Sequence, residues 1–240
     1  MKIIISAILF CASTIVSAQI VIKANDPGIR YDLIQPGVDA VKVVEYDSLG
    51  NKIQTYISKN YVAVDKFSGL IKLTRLSIAD PGILYIDTSI INVGPVTMHS
   101  LEYPARKELH VKFEESGVTV KSLINGVSKT QAYPMPAGYF DDNILVDIIG
   151  YLPIEKEVKY IMDAFRFESV KTNCLNHYEV QYLHDDYLPD ADNKYSSCKV
   201  LYFKNGYSDG YIWVDKSSHK VLKQLINFDR NKHSFLIEQI

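Results

Sequence analysis

The sequence predicts a mainly β protein containing one short helix. Short runs of alternating polarity recur along the chain with turn residues between them. Tyrosine is abundant, with 17 copies against one tryptophan. Helical periodicity is confined to a single segment. Aromatic and β-branched side chains suit pleated, half-buried surfaces, so the composition and the patterning agree.

The first segment stands outside the fold. Residues 1–18, "MKIIISAILFCASTIVSA", combine a basic start at Lys2, an apolar run from Ile3 to Phe10 and small residues at Val16-Ser17-Ala18. That is the layout of a secretory signal peptide, and the apolar run is too short to span a bilayer. A lipidated Cys11 is the weaker reading, because Phe10 is bulky where a small residue is needed. Residues 19–240 are then expected to form a single β-rich domain that is periplasmic or secreted. No later run approaches the roughly 18 apolar residues of a membrane helix, so no transmembrane segment is expected. Without Lys2 the chain has 25 basic against 28 acidic residues. That balance supplies no drive toward nucleic acid or anionic lipid.

Strands are predicted for "IRYDLI" (29–34), "AVKVVEY" (40–46), "KIQTYI" (52–57) and "GLIKLTRLSI" (69–78). The intervening "QPG", "DSLGN" and "DKFSG" hold the glycine and Asx chemistry of turns. "GILYID" (82–87), "SIINV" (89–93) and "VTMHSLEY" (96–103) follow. Two alternating runs in "KELHVKFEESGVTVKSL" (107–123) flank Glu115-Ser116-Gly117. Later strands are expected in "VKYIMDAFRFESV", "LNHYEVQYL", "KVLYF", "GYIWV", "VLKQLINF" and "HSFLIEQI". "DPGIRY" (26–31) and "DPGILY" (80–85) match at five of six positions, and a β-turn opening a strand explains both.

The helical segment is "YFDDNILVDIIGYLP" (139–153). Ile144, Leu145, Ile148 and Ile149 share one helix face. Asp141 suits the N-cap, Asp142 the positive helix end and Gly150 the C-terminal cap, while Pro153 prevents continuation.

Two cysteines lie beyond the signal, Cys174 and Cys198. An oxidising compartment and an even count favour a disulfide. A simple hairpin of the strands that follow them would put the two at opposite ends, while bridging needs Cα atoms within about 7 Å. Both readings stay open at this stage.

Candidate chemistry is sparse. Asp215, Ser217, Ser218 and His219 in "GYIWVDKSSHKVLKQLINF" (210–228) include the residue types of a hydrolase triad, but they fall on six consecutive polar residues between apolar runs. A triad needs its members in hydrogen-bond series with preorganised oxyanion donors. An exposed hairpin tip that tolerates alanine at Ser217, Ser218 and His219 is the favoured reading. "HDDYLPDADNKY" (184–195) gathers His184, Asp185, Asp186, Asp190 and Asp192 in an expected polar loop. It fails the EF-hand pattern, since the fifth position from Asp190 is Lys194 and the sixth is not glycine. "SSCK" (196–199) leads into a strand and lacks the partner motifs of serine β-lactamases. "GVSKT" (126–130) lacks the spacing of a phosphate loop. No catalytic, cofactor-binding or metal residue is therefore assigned, and no cofactor is expected.

"DTSIINVGPVTMHSLEY" (87–103), "VSKTQAY" (127–133), "FDDNILVDIIGYLPI" (140–154) and "GYIWVDKSSHKVLKQL" (210–225), in that order, resemble a family of uncharacterised bacterial envelope proteins. That family's fold is similar to the lipoprotein-carrier (LolA-like) half-barrel. The resemblance covers about residues 85–230 and implies a curved antiparallel sheet wrapping the helix. It brings no catalytic residues. The expectation is a non-catalytic envelope protein that binds an apolar small molecule or lipid, or assists envelope assembly with another envelope protein. The alternative is a structural interaction module without ligand, with a hydrolase third. Complete cover of the concave face by the helix favours the module, and partial cover favours a pocket.

Export with cleavage after Ala18 is the first expected outcome. Intact mass of the envelope-extracted protein checks it, and a diacylglyceryl adduct on Cys11 would overturn it.

Overall fold

The computed structural model describes residues 19–65, 67–79, 82–92, 96–103, 107–114, 117–166, 174–189, 194–228 and 233–240. Alternating runs became strands wherever one side could be buried. The first group is β1 (Gln19–Val21), β2 (Gly37–Tyr46), β3 (Lys52–Asp65), β4 (Leu70–Ala79), β5 (Gly82–Asn92), β6 (Val96–Tyr103), β7 (Lys107–Glu114), β8 (Gly117–Ile124) and β9 (Val127–Pro134). The second is β10 (Phe140–Asp141), β11 (Lys159–Phe165), β12 (Leu175–Pro189), β13 (Tyr195–Lys204), β14 (Ser208–Asp215), β15 (Val221–Phe228) and β16 (His233–Gln239). Between the groups lies the helix α1 (Asp142–Ile148). Among the described residues these sixteen strands make one sheet, in the order β1-β11-β12-β13-β14-β15-β16-β2 and onward to β9. The sheet is curved and open, and it wraps the helix as expected.

Two antiparallel meanders, β2–β9 and β11–β16, are joined where β16 pairs with β2, Leu236 opposite Val44 and Ile237 opposite Val43. The free edge of β11 is shared by two short parallel strands, β1 on Lys159–Ile161 and β10 on Ala164–Phe165. Local chemistry sets the hairpins. Asn125 and Gly126, both at positive φ, form the two-residue loop between β8 and β9, the conformation that a type I′ turn needs. Asp47 Oδ1 accepts from the backbone N–H groups of Leu49 and Asn51 to close the β2–β3 connection.

The expected division into strands and loops fails at three places. "IRYDLI" is not a strand: Tyr31–Leu33 form one 3-10 turn, and Ile29 and Ile34 are buried in the main core. The preceding Asp26 closes an Asx turn with the Gly28 N–H at 2.8 Å, and the Arg30 N–H donates to the Tyr151 carbonyl. This segment packs against the far end of the helical region instead of joining the sheet. "GILYID" and "SIINV" as far as Asn92 are one strand, β5, because the polar residue between them, Thr88, faces away from the core and meets Thr74 at 3.3 Å; Val93 lies outside the described residues. The expected polar loop from His184 is strand as far as Pro189.

The helix begins at β10. Asp141 ends that strand and caps α1, its side chain accepting from the Asn143 N–H at 3.0 Å. Ile144, Leu145 and Ile148, with Ile149 in the following 3-10 turn, are all buried. They share a cluster with Met162 and Ala164 of β11, Val180 of β12, Leu201 and Phe203 of β13, and Ile212 and Val214 of β14. A second cluster joins Leu109 and Val111, Val118 and Val120, Tyr133 and Phe165 under β7–β9. Gly150 is not a C-terminal cap. It sits inside the 3-10 turn, where an added Cβ would lie 2.0 Å from the His219 carbonyl oxygen. No helix among the described residues is long and apolar enough to cross a membrane.

Both cysteines are buried, and neither is in a disulfide. Cys198 lies opposite Asp186 on β12, twelve residues along the chain from Cys174. At about 3.3 Å per residue that separates them by tens of ångströms, so one chain cannot bridge them. Burial, with Asp215 nearby, pushes the Cys198 thiol up to about 11.

Leu145→Asp is expected to prevent stable folding, because it places an unpaired charge at a fully enclosed position. Ile148→Val is expected to cost about 0.5–1.5 kcal/mol. Denaturant unfolding checks both, and an unaffected Leu145→Asp would mean that the helix packs elsewhere.

Candidate ligand pocket

The helix covers the concave face only in part. Its main core lies against β11–β14. On its other side, toward β2–β5 and β15–β16, a cavity of about 240 Å³ remains. Apolar walls come from Val41 and Val43 of β2, Val62 of β3, Leu73 of β4, Val221 and Ile226 of β15, and Ile144 and Ile148 of α1.

A polar band crosses these walls, and strand register builds it. Asp39 pairs with Asn60, Asn60 with Arg75, and Arg75 with Asp87, so four polar residues stand side by side across β2, β3, β4 and β5. All four line the cavity. The next row toward the β2–β3 turn contains Ser58 opposite Ser77, whose hydroxyls meet at 3.1 Å. On the other side of the band, Val62 and Leu73 form an apolar row.

The helix contributes one charge to this face. Asp147 accepts from Arg75 Nη2, and each side chain keeps 28% exposure, which places the pair against the cavity and not in the packed core. Asp147, with Asp87 and Tyr85, holds the Arg75 guanidinium above its usual range, so it stays charged. Burial also raises the Tyr56 phenol, which stays neutral. At the rim Lys220 Nζ sits 3.0 Å from both carboxylate oxygens of Asp39. Both cations are thus engaged by carboxylates. Among the described residues the buried Oδ1 of Asn60 has no hydrogen-bond partner. Such an arrangement can bind and orient a molecule with an apolar body and a polar head.

The stretch 215–220 is a hairpin turn, but it is not a free tip. Asp215 is buried, and its Oδ1 accepts from the backbone N–H and hydroxyl of both Ser217 and Ser218 at 2.6–3.0 Å. Burial alone would raise this carboxyl; those hydrogen bonds hold it below the usual carboxylate range. The His219 ring points to the Gly150 carbonyl at 3.1 Å and lies beside Tyr151. The serines therefore donate to the carboxylate, and the imidazole meets a backbone oxygen. A hydrolytic relay would need serine, imidazole and carboxylate in series. The turn instead clasps the end of α1 and positions Lys220 at the cavity rim.

The acidic stretch is committed elsewhere. Asp185 binds Lys216 at 2.6 Å and Lys156 at 3.2 Å, and accepts from the Tyr182 hydroxyl. Asp186 accepts from Trp213 Nε1 at 2.9 Å, and His184 Nδ1 meets a backbone carbonyl oxygen. Asp190 and Asp192 lie outside the described residues. None of the pocket's polar residues was singled out from sequence. They are far apart in the chain, and the one available signal is the polar interruption of alternating runs at Asn60, Arg75 and Asp87.

No protein-family model matches the chain, and no curated protein matches it. Among solved structures the chain is similar to the crystal structure of a β-barrel-like protein of the domain of unknown function DUF1849 from Brucella abortus. The TM-score is 0.52 at 9% identity, covering 85% of this chain and 95% of that one. That likeness shows the fold. A hypothetical lipoprotein, YmcC from Escherichia coli, matches at TM-score 0.34 and 7% identity over 86% of this chain and 89% of its own, too low to carry an argument. The fold is thus shared with a bacterial β-barrel-like protein of unknown function.

Asp215→Ala is expected to cost about 1.5–3 kcal/mol at neutral pH, the range for hydrogen bonds to a charged group. A carboxylate held low stabilises the fold above its unfolded value near pH 4 and loses that contribution as pH falls through the lower folded value. The gap between wild type and variant should therefore shrink on acidification below about pH 4. Ser217→Ala or Ser218→Ala alone should change little, since Asp215 keeps its other donors. Urea titrations at several pH values check this, and an Asp215→Ala variant as stable as wild type would remove the clasp.

Proposed function

We propose that the protein is an exported, non-catalytic envelope protein that holds an amphipathic small molecule between α1 and the concave face of its sheet. The carrying observation is the incomplete cover of that face, which leaves a cavity with apolar walls and a register-built polar band. At about 240 Å³ the cavity falls below the roughly 300–1,000 Å³ of pockets for drug-sized ligands. It suits a short acyl chain or one end of a longer one. Export rests on the signal-like start of the sequence, and the lipoprotein-carrier resemblance supports the acyl-chain form of the reading. A structural module is the second reading. The Arg75–Asp147 and Lys220–Asp39 pairs favour it, because they fill part of the concave face from within.

Organic extraction of protein purified natively from the envelope, followed by mass spectrometry, is expected to yield one amphipathic compound in near-stoichiometric amount. An empty extract, together with no thermal stabilisation by single-chain amphiphiles, would favour the structural module.

A further inference from the structure

We infer that the pocket selects a single-chain amphiphile whose head group donates hydrogen bonds and is neutral or cationic, and that it disfavours a carboxylate head. The inference rests on the ligand-holding reading above and specifies its chemistry.

Charge supplies the first half of the argument. Three carboxylates line the cavity, Asp39, Asp87 and Asp147, against two cations, Arg75 and Lys220. Each cation already faces a carboxylate, Arg75 that of Asp147 and Lys220 that of Asp39. An arriving anion would have to displace one of these partners. Otherwise it would sit beside a carboxylate in a partly desolvated space, where repulsion between like charges is weakly screened. A cation gains from the same surplus, and a neutral head is not penalised.

Hydrogen bonding supplies the second half. Asn60 stands in the middle of the band, flanked by Asp39 and Arg75, with its buried Oδ1 lacking a donor among the described residues. A buried acceptor left unsatisfied costs about 1–3 kcal/mol. Turned into the cavity that the Asn60 side chain lines, this oxygen would accept from a hydroxyl or ammonium group arriving from the apolar side, whereas a carboxylate has no proton to offer. The apolar row of Val62 and Leu73 lies next to Asn60 and Arg75 on the same face, so a chain on that row brings its polar end to the band.

The test uses delipidated full-length protein and three probes of equal chain length: 1-decanol, decylamine and decanoate. Binding is read by titration calorimetry and by thermal shift at neutral pH. Decanol and decylamine are expected to bind and raise the melting temperature, with decanoate weaker by about tenfold or more. Asn60→Leu should weaken decanol and decylamine while leaving decanoate unchanged. Asp147→Asn should release Arg75 and narrow or reverse the penalty on decanoate. Decanoate binding as tightly as the other two in the wild-type protein would overturn the head-group assignment while leaving the pocket in place. No binding by any of the three would instead remove the ligand-holding reading. The wild-type comparison decides between these outcomes even if a variant fails to fold.

Discussion

The pairing of β16 with β2 is the constraint on which the rest of the molecule depends. Residues 234–239 lie antiparallel to 41–46, bringing together segments nearly two hundred positions apart. The entropy of closing so long a loop grows only slowly with its length, so a ladder with apolar pairs at Leu236–Val44 and Ile237–Val43 can carry it. Without that ladder there are two separate meanders. The cavity straddles the junction, with walls from β2–β5 on one side and β15–β16 on the other. A ligand there would contact both meanders and would stabilise their union by mass action.

Polar groups on a concave face need compensation, because burial without partners is costly. Here the compensation comes from across the fold and not from chain neighbours. Arg75 on a strand meets Asp147 on the helix, and Lys220 from a hairpin turn meets Asp39. These contacts attach the helix and the turn to the opposite meander, where apolar packing is thin. Partly exposed ion pairs of this kind contribute modestly to net stability. Their stronger effect is on placement, since a misplaced helix would leave Arg75 beside Asp87 without Asp147.

Local signals in the sequence were readable, and long-range ones were not. Asp141 could be identified as a helix cap because it acts on a backbone group two residues away. β2, β4, β6 and β8 followed from alternation between turn residues. Residues 29–34 misled because Ile29 and Ile34 pack over the helical region, a tertiary contact that alternation cannot reveal. The stretch after His184 looked like loop because its carboxylates are polar on both sides of the strand. The structure shows Asp185 and Asp186 partnered by Lys156, Lys216 and Trp213 from elsewhere in the chain. The pocket was foreseen only as an apolar gap. Its polar character arises from Asp39, Asn60, Arg75 and Asp87 falling into one row, which three hairpin registers decide jointly.

That row has a consequence for how the protein can change. Successive strand residues face opposite sides, so a register slip of one position turns a whole strand over. A one-residue slip of β4 against its neighbours would drive Arg75 to the convex surface and carry Leu73 and Ser77 with it. Point substitutions can retune the cavity one group at a time, whereas an insertion inside one of these strands would dismantle it at a stroke. Homologous chains that keep the same binding chemistry should therefore preserve the registers of β2–β5 while their connections vary in sequence and in length.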